Sequence, residues 1–179
     1  MKIHNGMRPQ DIVILLKIIL MEGKAWQYRD LSADLLIAVS EISGSISRSS
    51  ASGLINSHTR QVNRLSFMEF IEFGLKYVFP AQAGRLVTGI PTAQSHDFYK
   101  ERFSSDFLYV WPDPEGNTRG LSIEPLHVNV PKAAAKDADL YKLLAGIDIL
   151  RVGKVREVAL ALKELKKIIL EPQRKHNKN

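Results

Sequence analysis

The chain has 179 residues, of which 45% are hydrophobic and 25% charged, and these proportions are typical of a packed globular protein rather than a disordered one. It contains no cysteine, which excludes disulfides, thiolate zinc sites and cysteine catalysis. The formal net charge is +6, and residues 151–179 account for this excess with nine basic and three acidic side chains. A basic segment of this kind either solubilises the protein or attracts a polyanion.

Targeting and catalytic signals are missing from the sequence. The first residues lack the apolar centre of a signal peptide, and the apolar run 12–21 is interrupted by Lys17 and too short to span a bilayer. No phosphate-binding loop, dinucleotide fingerprint, zinc-protease or nucleophile-elbow motif occurs, and the five histidines lack ligand spacing. We therefore expect a cytoplasmic protein with no enzymatic activity, no cofactor, no metal site and no membrane partner.

Three helices joined by tight turns are predicted at the start of the chain. Proline in the first turn and apolar residues at helical spacing place the first at about 9–22, and Gly23 marks its end. The second is expected at about 27–35 and the third at about 39–52, where Gly53 ends it.

The next helix, at about 65–79, is apolar on more than one side, and such a helix is normally buried. Pro80 ends it, and the glycine- and proline-containing stretch 81–95 is predicted to be a loop. This loop is the best candidate boundary, so we expect one domain at residues 1–80 and an extension at residues 81–179.

One β-hairpin is predicted in the extension, because residues 107–111 have strand composition, 112–117 favour a turn, and 119–123 can pair back. Its aromatic residues Phe107, Tyr109 and Trp111 could line a pocket for a small-molecule effector near Trp26 or Phe103, although an aromatic strand is more often core.

The chain is predicted to end in helices. One begins near Pro131, with Asp137 or Asp139 as an internal cap, and the last spans about 154–170. Val155, Val158, Leu162, Leu165 and Ile169 give this last helix a narrow apolar stripe. The stripe forms either a dimer seam or a contact with the preceding helix. The fold class expected overall is mainly α with a small β-hairpin.

The most specific pattern lies at residues 28–55. Its apolar residues keep the spacing of two short helices that pack across a turn, namely Leu31, Leu35, Ile37, Ile42, Ile46, Leu54 and Ile55. On these residues the segment resembles the winged helix-turn-helix of MarR-like transcriptional regulators. The resemblance implies a winged helix-turn-helix domain at residues 1–80 and sequence-specific binding of duplex DNA in transcriptional control, usually repression. The helix at about 39–52 would then enter the major groove.

The residues expected at the DNA are small and polar, or basic: Ser40, Ser43, Gly44, Ser47, Arg48, Arg60 and Arg64. Arg48 is predicted at a base edge, since its guanidinium can donate two bonds to guanine. The serines are predicted to bond phosphate oxygens, and Arg60 and Arg64 to neutralise phosphates. No acidic residue occurs between Glu41 and Glu69 to repel the DNA.

Two departures from the family pattern give further expectations. Leu36 stands where the turn often has glycine, and a left-handed conformation would cost it roughly 1–2 kcal/mol, so we expect a turn of different geometry. The wing is either rudimentary, at residues 56–63 with His58 and Arg60 at its tip, or is replaced by the hairpin at 107–123.

A homodimer on a palindromic site is expected, held together by the helix at 65–79, by the last helix, or by both. The alternative is a protein-interaction module on a winged-helix scaffold that does not bind DNA, because a fold does not fix a function.

Overall fold

A computed structural model describes residues 6–171, and this part of the chain is mainly helical with one small sheet. Its helices are α1 Pro9–Leu20, α2 Tyr28–Leu35, α3 Val39–Ala51, α4 Arg64–Phe73, α5 Leu75–Val78, α6 Asp97–Lys100, α7 Val130–Ala134, α8 Ala138–Val152 and α9 Val155–Leu170. Its strands are β1 Leu86–Pro91, β2 Tyr109–Pro112 and β3 Thr118–Ser122. The expectation of a mainly helical chain with a small β component is confirmed.

Helix α1 lies at the centre of the molecule. Residues 11–16 are all buried, and the helix packs against α2, α3 and α8. Full burial of each large apolar side chain contributes about 1.5–3 kcal/mol, so α1 is a major source of stability. Because α8 belongs to the second half of the chain, the two halves share one hydrophobic core. The boundary predicted at residue 80 lies between α5 and β1, but the elements on its two sides pack together.

Glycines end the first and third helices as predicted. Gly23, with φ of 77°, follows the turn at the end of α1. Gly53, with φ of 73°, ends α3, where its N–H bonds the Ser50 carbonyl and the Leu54 N–H bonds the Ser49 carbonyl. This pair of bonds is the Schellman arrangement, which satisfies carbonyls that the end of a helix leaves without partners.

The sheet differs from the prediction in two ways. Strand β1 lies within the stretch 81–95 that was predicted to be a loop. The hairpin predicted at 107–123 is also wrong, because β2 and β3 each pair antiparallel with β1 and run parallel to each other, which closes a small barrel.

The connection between β2 and β3 explains why no hairpin forms. Pro112 and Pro114 cannot donate ladder hydrogen bonds, which disfavours direct pairing of β2 with β3 next to the turn. The connection instead crosses β1, where a Cβ on Gly116 would lie 2.3 Å from the carbonyl carbon and oxygen of Gly89. Only glycine permits this approach of two backbones.

The last two long helices complete the core. The Asp137 carboxylate caps α8 by accepting a hydrogen bond of 3.0 Å from the Leu140 N–H. Of the two caps predicted, Asp137 and Asp139, the structure has the first. Ala161, Leu165 and Ile169 of α9 are buried, and α9 packs on α8 and α4. Of the predicted stripe, Leu165 and Ile169 are buried, Val158 and Leu162 are half-buried, and Val155 is 86% exposed. Within residues 6–171, no helix is both long and apolar enough to cross a membrane.

Candidate nucleic-acid interface

Helices α2 and α3 are joined by residues 36–38. The Gln27 N–H begins α2 by donating to the Asp30 carboxylate at 2.7 Å. Leu36 ends α2 with φ of 56° and ψ of 37°, so the expectation that this turn avoids the left-handed region is wrong. The strained residue is held by the extension, because Asn129 Nδ2 donates to the Leu36 carbonyl at 2.6 Å.

Helix α3 has two opposite faces. Ile42, Ser45, Ile46 and Ser49 are buried against the core. Ser40, Ser43 and Ser47 are exposed on the other side, together with Ala51. Residues spaced by three and four positions share a helix face, so these exposed residues form one continuous outward stripe of small side chains.

The two buried serines weaken this packing. The hydroxyl oxygens of Ser45 and Ser49 have no hydrogen-bond partner among the described residues. Leaving a buried polar group without a partner costs about 1–3 kcal/mol. The inner face of α3 is therefore less stable than its burial alone would suggest.

Replacing Ser45 or Ser49 with alanine is expected to raise the free energy of unfolding by about 0.5–1 kcal/mol, since the buried hydroxyl is removed and alanine favours the helix. Denaturant unfolding measures the change. Ser47→Ala on the outer face is the matched control and reports helix propensity alone. A loss of stability in Ser45→Ala and Ser49→Ala, beside a gain in the control, would show that the buried hydroxyls are satisfied.

A tight loop follows α3. Ile55 and Val62 form an isolated antiparallel bridge, and the Asn56 N–H donates to the Gln61 carbonyl at 2.9 Å. Asn56 Oδ1 also accepts from the backbone N–H groups of His58 and Thr59, which holds the tip of the loop. Of the two positions predicted for a wing, residues 56–63 form a short hairpin-like loop, whereas the hairpin at 107–123 does not exist.

A groove of about 470 Å³ lies between the outer face of α3, the start of α2 and this loop. We call it the serine groove, and it is lined by Tyr28, Ser43, Ile46, Ser47, Ser50, Ala51, Asn56, Ser57 and Arg60. Its lining offers hydroxyl and amide groups and one guanidinium, and it contains no carboxylate. Such a lining favours an anionic or neutral polar ligand over a cation.

Arg60 borders the serine groove and is half-buried. Its guanidinium carbon lies 4.2 Å from the centre of the Trp26 ring and 5.0 Å from that of Tyr28. These cation–π contacts fix the side chain beside the groove. The backbone of Arg60 is left-handed, with φ of 57°, which is uncommon outside glycine.

Arg48 points away from the groove. Its Nη2 lies 2.6 Å from Asp11 Oδ1 and its Nε 3.0 Å from Asp11 Oδ2, which makes a bidentate ion pair with a carboxylate that is 0% exposed. The hydrogen bonds to Asp11 raise the pKa of the Arg48 guanidinium above its usual value. Arg48 thus links α3 to α1. The guanidinium that we predicted at a base edge is engaged in this ion pair with Asp11 instead.

Arg64 is also engaged within the protein. Its Nη1 donates to the Ile169 carbonyl at 2.8 Å, near the end of α9, and its Nη2 forms an ion pair of 2.7 Å with Glu22. A cation at a helix C-terminus is stabilised by the helix dipole. Arg64 therefore joins α4 to α9 rather than facing solvent.

The structure thus brings together only some of the predicted site residues. Ser43, Ser47 and Arg60 line one groove, Ser40 lies exposed nearby on α3, and Gly44 is half-buried against Arg48. Tyr28 and Asn56, which also line the groove, were not predicted. The order Asn-x-His-Thr at 56–59 was the available signal for Asn56, since an asparagine side chain commonly bonds backbone N–H groups two or three residues later.

Of the three aromatic residues predicted to line an effector pocket, Phe107 and Tyr109 line one small cavity of about 210 Å³, and Trp111 does not. Trp111 is buried, where its Nε1 donates to Asp148 Oδ2 at 2.6 Å and its ring packs on Tyr141. Trp26 lies with Tyr28 and Arg60, and Phe107 is exposed. Neither Trp26 nor Phe103, which stacks with Tyr99, lines the cavity of Phe107 and Tyr109, so the strand aromatics do not converge with either residue.

No protein-family model, no curated protein and no solved structure matches this chain.

Proposed function

We propose that this protein is a winged helix-turn-helix regulator of the cytoplasm that binds duplex DNA with α3 in the major groove. The single observation that carries the proposal is the outer face of α3, where exposed serines border a groove lined by hydroxyl, amide and guanidinium groups and by no carboxylate. A regulatory role, and repression in particular, follows from the family resemblance of residues 28–55.

The small size of the α3 side chains suits a groove-docked helix. The major groove is about 12 Å wide, and an α-helix with its side chains is about 10–12 Å across. Serine and alanine let the backbone approach the bases closely, and serine hydroxyls can bond phosphate oxygens or base edges. Ser40, Ser43 and Ser47 would make these contacts.

The surrounding residues have supporting roles. The bridged loop at 55–62 acts as a short wing, from which Arg60 would neutralise one backbone phosphate. Arg48 holds α3 against α1 through Asp11, so it positions the recognition helix instead of contacting a base. Residues 172–179, the end of the basic segment predicted to attract a polyanion, lie outside the described residues.

A second candidate function is the protein-interaction module without DNA binding. One observation favours it: two of the three arginines predicted at the DNA, Arg48 and Arg64, form ion pairs inside the protein. The positive field expected around α3 is reduced accordingly. A groove lined mainly by hydroxyl and amide groups can also receive a protein segment.

Fluorescence anisotropy with a pool of mixed-sequence duplexes distinguishes the two candidates. The wild-type protein is expected to bind with an affinity that falls steeply as salt rises, because phosphate contacts release counterions. Ser47→Glu places a carboxylate in the serine groove and should weaken binding by about tenfold or more through repulsion from the phosphates. Arg60→Gln should reduce the slope of log affinity against log salt concentration by about one.

Ser104→Glu is the matched control, since Ser104 is an exposed serine of the extension that lies away from α3. It adds the same charge to the protein and is expected to leave DNA affinity nearly unchanged. If Ser47→Glu and Ser104→Glu weaken binding equally, the effect is one of net charge and the groove is not the site. If the wild-type protein binds no duplex even at low salt, the interaction module replaces the regulator.

A further inference from the structure

Helices α4 and α5 are apolar on two opposite sides. Phe67, Met68, Ile71 and Leu75 are buried against the core. The outer side carries Leu65, Phe73 and Tyr77, which are 67%, 69% and 73% exposed. Apolar residues of this size, exposed together along two consecutive helices, mark an interaction surface more often than single exposed ones.

The exposed residues follow one ridge. Leu65, Glu69 and Phe73 of α4 are spaced by four residues, which is the i, i+4 row that helices use when they pack on each other, and Tyr77 of α5 continues this spacing beyond Gly74. We call this row the outer ridge. The sequence predicts a helix buried on more than one side, yet within residues 6–171 only its inner side is covered. Aromatic residues such as Phe73 and Tyr77 are enriched at protein interfaces.

The ridge is self-complementary in charge. Glu69 lies in its first half, and Lys76 lies beside Tyr77 at its other end, with the ammonium group 4.9 Å from the centre of the Tyr77 ring. Among the described residues, neither Glu69 nor Lys76 takes part in an ion pair. When two copies pack antiparallel about a two-fold axis, the acidic half of each ridge faces the basic half of the other.

We propose that the outer ridge is a homodimer interface, on which a second copy of this chain packs in antiparallel orientation. The two-fold axis passes between Glu69 and Phe73, so Glu69 of each copy lies next to Phe73 of the other, and Glu69 comes within reach of Lys76. Such an interface is isologous, with the same patch used on both copies. Self-association of this kind does not depend on DNA binding.

Analytical ultracentrifugation of the full chain without DNA tests the interface. The wild-type protein is expected to be a dimer at about 10 µM, and Phe73→Arg to raise the dissociation constant by about 30-fold or more, as loss of a central aromatic residue does at other interfaces. Val128→Arg is the control, because Val128 is another exposed apolar residue but lies in the extension. Circular dichroism checks that both variants fold.

Cysteine variants test the orientation, since the natural chain has no cysteine. At a rise of 1.5 Å per residue, an axis between residues 69 and 73 offsets the two copies of residue 69 by about 6 Å along the helix and those of residue 65 by about 18 Å. Glu69→Cys is therefore expected to form a disulfide dimer at least tenfold faster than Leu65→Cys. A monomeric wild-type protein at about 100 µM, equal dissociation constants for Phe73→Arg and Val128→Arg, or equal cross-linking at positions 65 and 69 would overturn the proposed interface.

Discussion

Replacing Asp11 with asparagine is expected to lower the free energy of unfolding by about 3–5 kcal/mol. The carboxylate is 0% exposed and holds the Arg48 guanidinium through two hydrogen bonds of 2.6 and 3.0 Å. Asparagine has nearly the same volume but no charge, so the variant leaves the Arg48 guanidinium in a largely buried position without its counterion. Denaturant unfolding of the full chain measures the loss.

Two further measurements separate the ion pair from a general effect of removing an acid. Asp97→Ala removes the partner of Lys100 from an exposed pair, and such pairs contribute at most about 1 kcal/mol. In a double-mutant cycle, Asp11→Ala with Arg48→Ala should cost much less than the two single changes together, because neither buried charge then remains alone. A loss in Asp11→Asn no larger than that in Asp97→Ala would contradict the buried pair.

The ion pair also changes how an Arg48 variant must be interpreted. Arg48→Ala removes the anchor between α3 and α1 and leaves Asp11 buried without its counterion. A loss of DNA binding in this variant therefore reports the displacement of α3, even if Arg48 never contacts DNA. Ser47→Glu avoids this ambiguity, because Ser47 is exposed and its replacement disturbs no internal contact.

Replacing Asp148 with asparagine is expected to be comparably damaging, with a loss of about 3–5 kcal/mol in the free energy of unfolding. The carboxylate accepts bonds from Trp111 Nε1 at 2.6 Å, Thr92 Oγ1 at 2.8 Å and Arg151 Nη1 at 2.8 Å. Burial raises the pKa of the Asp148 carboxyl, and the bonds from Arg151, Thr92 and Trp111 oppose that rise. An asparagine amide would direct N–H groups at one or more of these donors.

Thr92→Val is the graded control for Asp148. It keeps the shape of the residue and removes only one of the three donors, so the expected loss is about 1–2 kcal/mol. Denaturant unfolding of both variants under the same conditions gives the comparison. If Asp148→Asn costs no more than Thr92→Val, the carboxylate does not organise the contact between α8 and the sheet.

The helices of the first half could be predicted because each has a local cause. Pro9 begins α1, Gly23 and Gly53 follow the ends of α1 and α3, and apolar residues recur at helical spacing. The left-handed turn at Leu36 was not predicted, because its support comes from Asn129, a residue 93 positions away in the chain. At Leu36, the tertiary hydrogen bond from Asn129 outweighs the preference of a non-glycine residue for right-handed backbone.

The strand pairing of the sheet and the ion pair of Arg48 depend on residues far apart in the chain, which local sequence patterns do not reveal. Strand β1 was missed because its glycine and proline are typical of loops, and the pairing of β2 and β3 depends on the crossing of Gly116 over Gly89. The serine face of α3 could be predicted from helical spacing alone. The ion pair between Arg48 and Asp11 could not be predicted, because nothing in the sequence links Arg48 to a residue 37 positions earlier.

The placement of DNA on the outer face of α3 is tested most directly by amide chemical shifts of the ¹⁵N-labelled protein, titrated at low salt with the pool of mixed-sequence duplexes. The largest changes are expected on exposed residues of 39–51 and on the loop 55–62, while the amides of the buried helix α8 change little. Changes confined to residues 86–122, or no change at any duplex concentration, would contradict this placement.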